Sequence, residues 1–392
     1  MEASLDLPRT KRLQKIALVL CAIGALASLA VGWLDPVQWL RSYLFAFMGC
    51  MELSLGCLAL LMIHYLVGGR WGRAASMFLE SGAAMLPWMA LAFIPLAFGL
   101  SHIYPWADPH QVAASELLRH KVPYLNIPFF LARTAGCFAI WSFLVLILRK
   151  YSRQASDAEA RGDTEALARA GLRLAAWSAP GLILYGITMH IAAFDWTMSL
   201  EPDWYSTMYG FLIISSQAPP VLALAILFHL WLGRDSLLSG VVSPTRLTDL
   251  GNLLLAFLLI WIYISFMQFL IIWSGNLPEE TSWYLHRMAG GWQWLALALV
   301  AFQFAVPFFL LMFRRVKERP RILLAIALGL MYVHWAHMFW LIAPAFSPGK
   351  FRIHGLDLTL PLTLGGAWTA LFARGLSTFR TTASSSETAL HG

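Results

Sequence analysis

Long apolar runs alternate with short polar interruptions along the whole chain, and the runs are far too long for strands. A bilayer crossing takes about 20 predominantly apolar residues. Ten stretches reach that range: Leu13–Leu34, Tyr43–Val67, Ala74–Leu100, Leu125–Leu148, Leu174–Met198, Thr207–Leu232, Leu250–Trp273, Met288–Met312, Ile322–Phe346 and Leu356–Phe372, the last being the shortest. Hydrocarbon offers no partner to an unpaired backbone group, so such runs must be helices, and the alternating pattern of a membrane barrel is absent. The expected fold is all-α and polytopic, with about ten transmembrane helices.

The polar interruptions orient these runs. With the N-terminus inside, 21 of the 28 cations fall on the inner side, in the groups Arg9–Lys15, Arg70–Arg73, Arg149–Arg173, Arg234–Arg246, Arg314–Arg321 and Arg374–Arg380. A positive-inside bias sustained over ten alternations predicts that both termini are cytoplasmic. Arg9 to Lys15 followed by an apolar run also fits a cleavable signal peptide; the length of the run, and the odd number of spans its loss would leave, favour retention. The expected division is a membrane half at 1–148 (helices 1–4), a charged cytoplasmic linker at 149–173 read as a short amphipathic helix, a second half at 174–380 (helices 5–10), and a polar, disordered tail at 381–392.

Composition agrees. The 392 residues are 59% hydrophobic and 12% charged, against about 25% charged in soluble chains. A cytosolic enzyme, a nucleic-acid-binding domain and a disulfide-stapled module are excluded. The net charge of +7 reads as a topology signal, with no nucleic-acid partner. Cys21, Cys50, Cys57 and Cys137 all lie inside apolar runs, without CxxCH or CxxC spacing. No covalently bound cofactor and no metal site is expected, and iron–sulfur or c-type haem chemistry must belong to other subunits.

Two short matches repeat at an offset of four helices. The second run ends His64-Tyr65-Leu66-Val67-Gly68-Gly69-Arg70 and the sixth His229-Leu230-Trp231-Leu232-Gly233-Arg234. Arg133-Thr134-Ala135-Gly136 opens the fourth as Arg287-Met288-Ala289-Gly290 opens the eighth. An even offset keeps one orientation, which predicts two parallel four-helix bundles, helices 2–5 and 6–9, with helices 1 and 10 peripheral.

A charge within the spans costs about 2.5–3.5 kcal/mol on insertion scales and marks function by default. The candidates are Glu52, His64, Glu80, Arg133, His190, Asp195, His229, His334 and His337. Glu52, Arg133 and Asp195 are expected to form an ion cluster near the outer face, which also suits a purely structural tie between helices. His190 and Asp195, five residues apart, present different faces and share a site only at a bundle corner. A carboxylate beside an imidazole and an apolar slot suits quinol oxidation. Glu80 and His64 suit a proton relay from the inner side, although for His64 and His229, at helix ends, snorkelling to the interface is the plainer reading. His334 and His337 share one face; a buried hydrogen-bonded pair is the plainer reading, since no third metal ligand is evident.

Three segments are distinctive: Lys121-Val122-Pro123-Tyr124-Leu125-Asn126, Phe194-Asp195-Trp196-Thr197-Met198-Ser199-Leu200-Glu201-Pro202 with the residues to Thr207, and Trp273-Ser274-Gly275-Asn276-Leu277-Pro278-Glu279-Glu280. Through them nearly the whole chain resembles the ActF-type membrane subunits of bacterial alternative complex III, a quinol:cytochrome c (or high-potential iron–sulfur protein) oxidoreductase, and more widely the NrfD and polysulfide-reductase membrane subunits. The resemblance implies ten helices in two bundles, iron–sulfur and c-type haem subunits and a related membrane subunit as partners, and quinol or menaquinol as the redox lipid, with no haem b expected. It implies proton conduction coupled to electron flow more than quinol oxidation, which in that complex is better supported in the related ActC subunit. Lys121 and Tyr124 join the candidates on this ground. A secondary transporter and a structural anchor remain as alternatives.

Overall fold

The structure, a computed structural model, describes residues 8–232 and 244–377. The expectations for Gly233, Arg234, Arg380 and the tail 381–392 fall outside the described residues. Among those described there are ten helices long and apolar enough to cross a membrane, and no strand. They are α1 (Pro8–Gly32), α2 (Pro36–Val67), α3 (span Ala75–Phe98), α4 (Ile127–Ala160), α5 (Thr164–Trp196), α6 (Tyr209–Leu232), α7 (Pro244–Gly275), α8 (span Trp292–Met312), α9 (Pro320–Ile342) and α10 (Leu356–Ser377). The protein is a multi-pass, all-α membrane protein.

Local sequence explains where these helices start and break. Asp35 caps α2 by accepting from Gln38 N at 2.9 Å, Asn126 caps α4 through Phe129 N at 2.9 Å, and Pro36 and Ile127-Pro128 begin the first turns. These side chains satisfy N–H groups that a helix start leaves open. In α3, Pro87 and Pro95 each open a new segment, so the span is three short helices, Arg70–Ala83, Leu86–Ala92 and Ile94–Phe98. In α8 the turn widens to a π-helix over Val300–Ala305, directly before Pro307. Proline lacks the N–H that would bond four residues back and its ring crowds that carbonyl, and a wider turn relieves both.

Packing follows the repeat. Within the first group α2 packs on α3, α3 on α4, α4 on α5 and α5 on α2; within the second, α6 packs on α7, α7 on α8, α8 on α9 and α9 on α6. These are two four-helix bundles, helices 2–5 and 6–9. They meet through α2, α3 and α5 of the first and α6, α7 and α9 of the second. In keeping with that central position, 94% of the most apolar stretch of α2 and 83% of that of α6 are buried, against 22% for α1, α7 and α8.

The first and last spans form a hairpin outside both bundles. A Cβ on Gly24 would stand 2.9 Å from Thr359 O, and one on Gly366 2.9 Å from Ala17 O and Cys21 N. Small residues let the two backbones approach, which is how helices associate in a solvent as apolar as themselves. Ser28 adds a hydroxyl contact to Thr359 at 3.0 Å. The hairpin rests on the body mainly through α10 against α2.

Two expectations need correction. The charged stretch 149–173 is no separate amphipathic helix: α4 runs to Ala160, the chain turns at Gly162 with φ +66°, and α5 starts at Thr164, capped by Asp163. Segment 149–173 is therefore the tip of a hairpin inside the first bundle, and the two bundles are joined later, by the segment between α5 and α6. The repeat is also imperfect at its arginines. Arg133 lies within α4, whereas Arg287 ends a separate helix, Pro278–Arg287, and the Gly290–Gly291 turn precedes α8.

Candidate functional site

The distinctive segment between α5 and α6 is held by two arginines, one from each bundle. α5 ends at Trp196 and tightens into a 3₁₀ turn, Met198–Leu200. Ser199 Oγ donates to Asp195 O at 2.5 Å and receives Trp106 Nε1 at 2.9 Å, while Tyr104 OH donates to Trp196 O at 2.9 Å. This fixes Asp195, 1% exposed, against Arg133, which donates from Nε at 2.7 Å and Nη2 at 3.0 Å. Arg133 also bonds Tyr124 O at 2.9 Å and lies 3.9 Å over the Tyr124 ring and 4.3 Å over Phe129. The Tyr124 phenol pKa is pushed up to about 12 by burial and by the nearby Asp195 charge, with Arg133 opposing.

Six residues on, Glu201 does the same for the second bundle. Its Oε1 accepts from Arg287 Nη1 at 2.7 Å, and His286 Nδ1 lies 2.6 Å from its Oε2. Arg287, 1% exposed, also donates to Leu341 O at 2.7 Å and stacks 3.7 Å over Trp283. Burial holds its pKa below the usual guanidinium range, and Glu201 acts in the opposite direction. Lys121 Nζ donates to Pro202 O at 2.5 Å, and Trp204 Nε1 to Glu280 O at 2.8 Å. All three distinctive segments thus meet at one end of the molecule. Glu201, His286 and Arg287 were missed as candidates, because Arg287 falls between apolar runs. Its match to Arg133 was the available signal: a second buried arginine needs a second carboxylate.

The expected cluster of Glu52, Arg133 and Asp195 does not form. Glu52, 1% exposed, points from α2 into the seam between the bundles. Ser216 Oγ of α6 donates to its Oε1 at 3.1 Å. Its Oε2 has no hydrogen bond among the described residues and lies 3.8 Å from His334 Nδ1 of α9. His334 Nε2 bonds Gly49 O at 3.0 Å, and a carbonyl only accepts, so Nε2 carries the hydrogen and Nδ1 of the neutral ring is left as an acceptor. Near by, Tyr185 OH of α5 donates to Gln217 Oε1 of α6 at 2.5 Å. Tyr209 sits close enough to feel both Glu52 and the Glu201–Arg287 pair, with its buried OH beside Thr197. A polar thread thus runs from mid-span Glu52 toward Glu201 and the part-exposed His286.

The remaining candidates divide between this seam and the bundle ends. His334 bonds Gly49 rather than His337, which meets the Trp261 ring at 5.6 Å, so the expected hydrogen-bonded histidine pair is replaced by two separate contacts. Glu80, 5% exposed, accepts on Oε1 from Tyr65 OH at 2.9 Å and Ser152 Oγ at 2.5 Å, with Arg149 and Arg153 in electrostatic range. His64 packs between the Tyr65 and Trp71 rings at 5.7 and 5.4 Å; the hydrogen bond to Glu80 is made by its neighbour Tyr65. His229 is 2% exposed, buried in protein instead of snorkelling. His190 bonds Gly186 O at 2.8 Å and faces Phe211 at 4.4 Å, pressed so close to Gly210 that a Cβ there would lie 2.3 Å from its ring. It is turned toward α6 and Asp195 toward α4, so these two do not share a site.

No set of three or more His, Cys, Asp or Glu among the described residues is arranged to hold a metal ion. No protein-family model and no curated protein matches the chain.

Proposed function

We propose that this chain conducts protons through the seam between its two bundles, as the membrane subunit of a quinol-oxidising respiratory complex whose electron carriers sit in partner subunits. The observation that carries the proposal is Glu52: a carboxyl at mid-span, buried among four helices, with one oxygen unbonded and an acceptor nitrogen 3.8 Å away. That gap is too long for a hydrogen bond. One side-chain rotation, or one water, closes it, and a proton then resides on either Glu52 or His334. A buried carboxylic acid is costly in hydrocarbon, and pumps place such groups along proton relays.

Glu80 with Tyr65 and Ser152 forms the entry at the face where α1 begins and α10 ends, which the cation bias makes cytoplasmic. Along α2, Tyr65 and Glu52 are about 20 Å apart at 1.5 Å per residue, a distance that needs internal water. Tyr209, Glu201 and His286 continue the thread to the opposite face. Quinol oxidation at His190 and Asp195 is the weaker reading, because both Asp195 oxygens are taken by Arg133 and His190 faces elsewhere.

The test is the Glu52→Gln variant in the intact purified complex reconstituted into vesicles. Electron transfer is expected to continue at a reduced rate with fewer protons moved per electron, and Glu52→Asp to restore part of the stoichiometry. Wild-type proton stoichiometry in Glu52→Gln would overturn the proposal and favour a structural anchor. The subunits that co-purify test the assignment to a quinol-oxidising complex separately.

A further inference from the structure

A cavity of about 740 Å³ separates the α1–α10 hairpin from the body, walled by α1, α2, α9 and α10, by Phe351 and Ile353 of the segment before α10, and by one residue each from α6 and α8. Its lining is almost wholly apolar, with Leu20, Phe45, Trp335 and Leu362 typical. It follows α10 from Asp357 to Thr369, a depth of about 18 Å at 1.5 Å per residue. One bilayer leaflet is about 15 Å of hydrocarbon. The cavity therefore has the length of a single acyl chain.

At the end remote from the start of α1 it meets a second, polar pocket of about 140 Å³ that shares Phe45, Phe339 and Asp357 with it. That pocket is lined by Arg41, Arg352, Gln38, Ser347 and His354. Arg41 lies 5.0 Å over the Phe346 ring, and its buried Nε has no hydrogen bond among the described residues. Asp357, the carboxylate of the pocket, is already engaged by Ser42 Oγ at 2.5 Å and His354 N at 2.8 Å.

We infer that this paired site holds one anionic phospholipid, one of its two acyl chains in the apolar cavity and its phosphate on Arg41 and Arg352. Arginine presents its donors in a fork that matches phosphate oxygens, and Arg41 has an N–H to spare. Charge and shape agree on the occupant. Two arginines favour an anion over a neutral ring, and 140 Å³ is small beside the 300 Å³ or more of typical organic-ligand pockets, so a quinone head fits the polar end poorly. The lipid would act as mortar for the hairpin, filling the space where α1 makes few contacts with the body.

The experiment compares the full-length chain with Arg41→Gln/Arg352→Gln and with Ala336→Trp, which fills the apolar cavity and leaves the arginines in place. Each protein is purified in mild detergent, washed extensively, and examined by native mass spectrometry and phosphorus assay. The wild type is expected to retain one phospholipid per chain and both variants to lose it. Wild type stripped by harsher detergent should regain thermal stability on adding phosphatidylglycerol, but not phosphatidylcholine, inorganic phosphate or a quinone. Absence of retained lipid in the wild type, retention undiminished in Ala336→Trp, or rescue by quinone or by phosphatidylcholine equal to that by phosphatidylglycerol would each overturn the inference. If the arginine variant does not fold, the wild type and Ala336→Trp decide.

Discussion

Arg133 and Arg287 show how a membrane protein keeps guanidinium groups out of water: each has a carboxylate, a backbone carbonyl and an aromatic face. The pairs are tested by removing one member or both. Arg287→Leu leaves Glu201 with His286 as its one charged partner and should cost about 3 kcal/mol, while Arg287→Leu with Glu201→Leu should recover much of that, because replacing a whole buried pair with apolar groups is often neutral. Thermal unfolding in detergent measures both, and a single variant as stable as wild type refutes this account. Tyr124 gives a pH prediction. Its raised pKa means the fold favours the neutral phenol, so its contribution is complete below the ordinary tyrosine value near 10 and is lost as pH climbs from there through about 12. Tyr124→Phe should flatten the alkaline fall in stability over that window; an unchanged curve contradicts it. At this scale the sequence was only partly legible. Insertion cost singles out residues inside apolar runs, and so found Glu52, Glu80, Arg133 and Asp195. It is blind to Arg287 and Glu201, which lie between apolar runs and pair with each other there, and it cannot say that Glu52 turns toward α6 and α9.

Helices were the most legible level. All ten apolar runs are spans, because a bilayer permits few alternatives to a helix and the runs overlap the observed helices throughout. Where the run and the helix disagree, polar residues explain it: α4 and α5 continue past the apolar zone as far as Ala160 and from Thr164, through residues that read as a linker because hydropathy reports the environment and not the backbone. Close contacts between elements give sharp tests. Gly290 has φ +61°, its carbonyl accepts from Phe351 N at 2.8 Å, and a Cβ on it would stand 1.6 Å from Gly349 O. Gly290→Ala should therefore lose more than the roughly 1–2 kcal/mol that a left-handed conformation alone costs, seen as a lowered melting temperature; Gly136→Ala in α4, where a Cβ meets nothing within 4 Å, is the control. Equal melting temperatures would show that the loop moves aside at no cost.

For the molecule as a whole, the repeat matches pointed to the correct bundles although each is only a few residues long, since an offset of four helices is a statement about topology and survives imperfect residue equivalence. The boundary between halves was misplaced because charge was taken as a sign of separation. The joint between bundles is instead the buried Asp195–Glu201 segment, with one arginine anchored at each end. Cutting the chain distinguishes the two. Co-expressed fragments 1–162 and 163–392 should assemble, since Gly162 is an exposed hairpin tip and such tips tolerate nicks. Fragments 1–199 and 200–392 should not, since the break severs the tie. Size-exclusion profiles and reassembly yields decide, and equal yields would remove the joint's special status.

The pairing of α1 with α10 sets an order on biogenesis. α1 is made well before α10, so Gly24 and its neighbours enter the bilayer unmatched, and the surface that matches them follows only after both bundles have been made. Until then α1 is a helix without a dock, able to diffuse or to recruit the wrong neighbour. A nonsense mutation before Leu356 would leave both bundles intact yet orphan the first helix, handing the quality-control proteases a marker of incomplete synthesis.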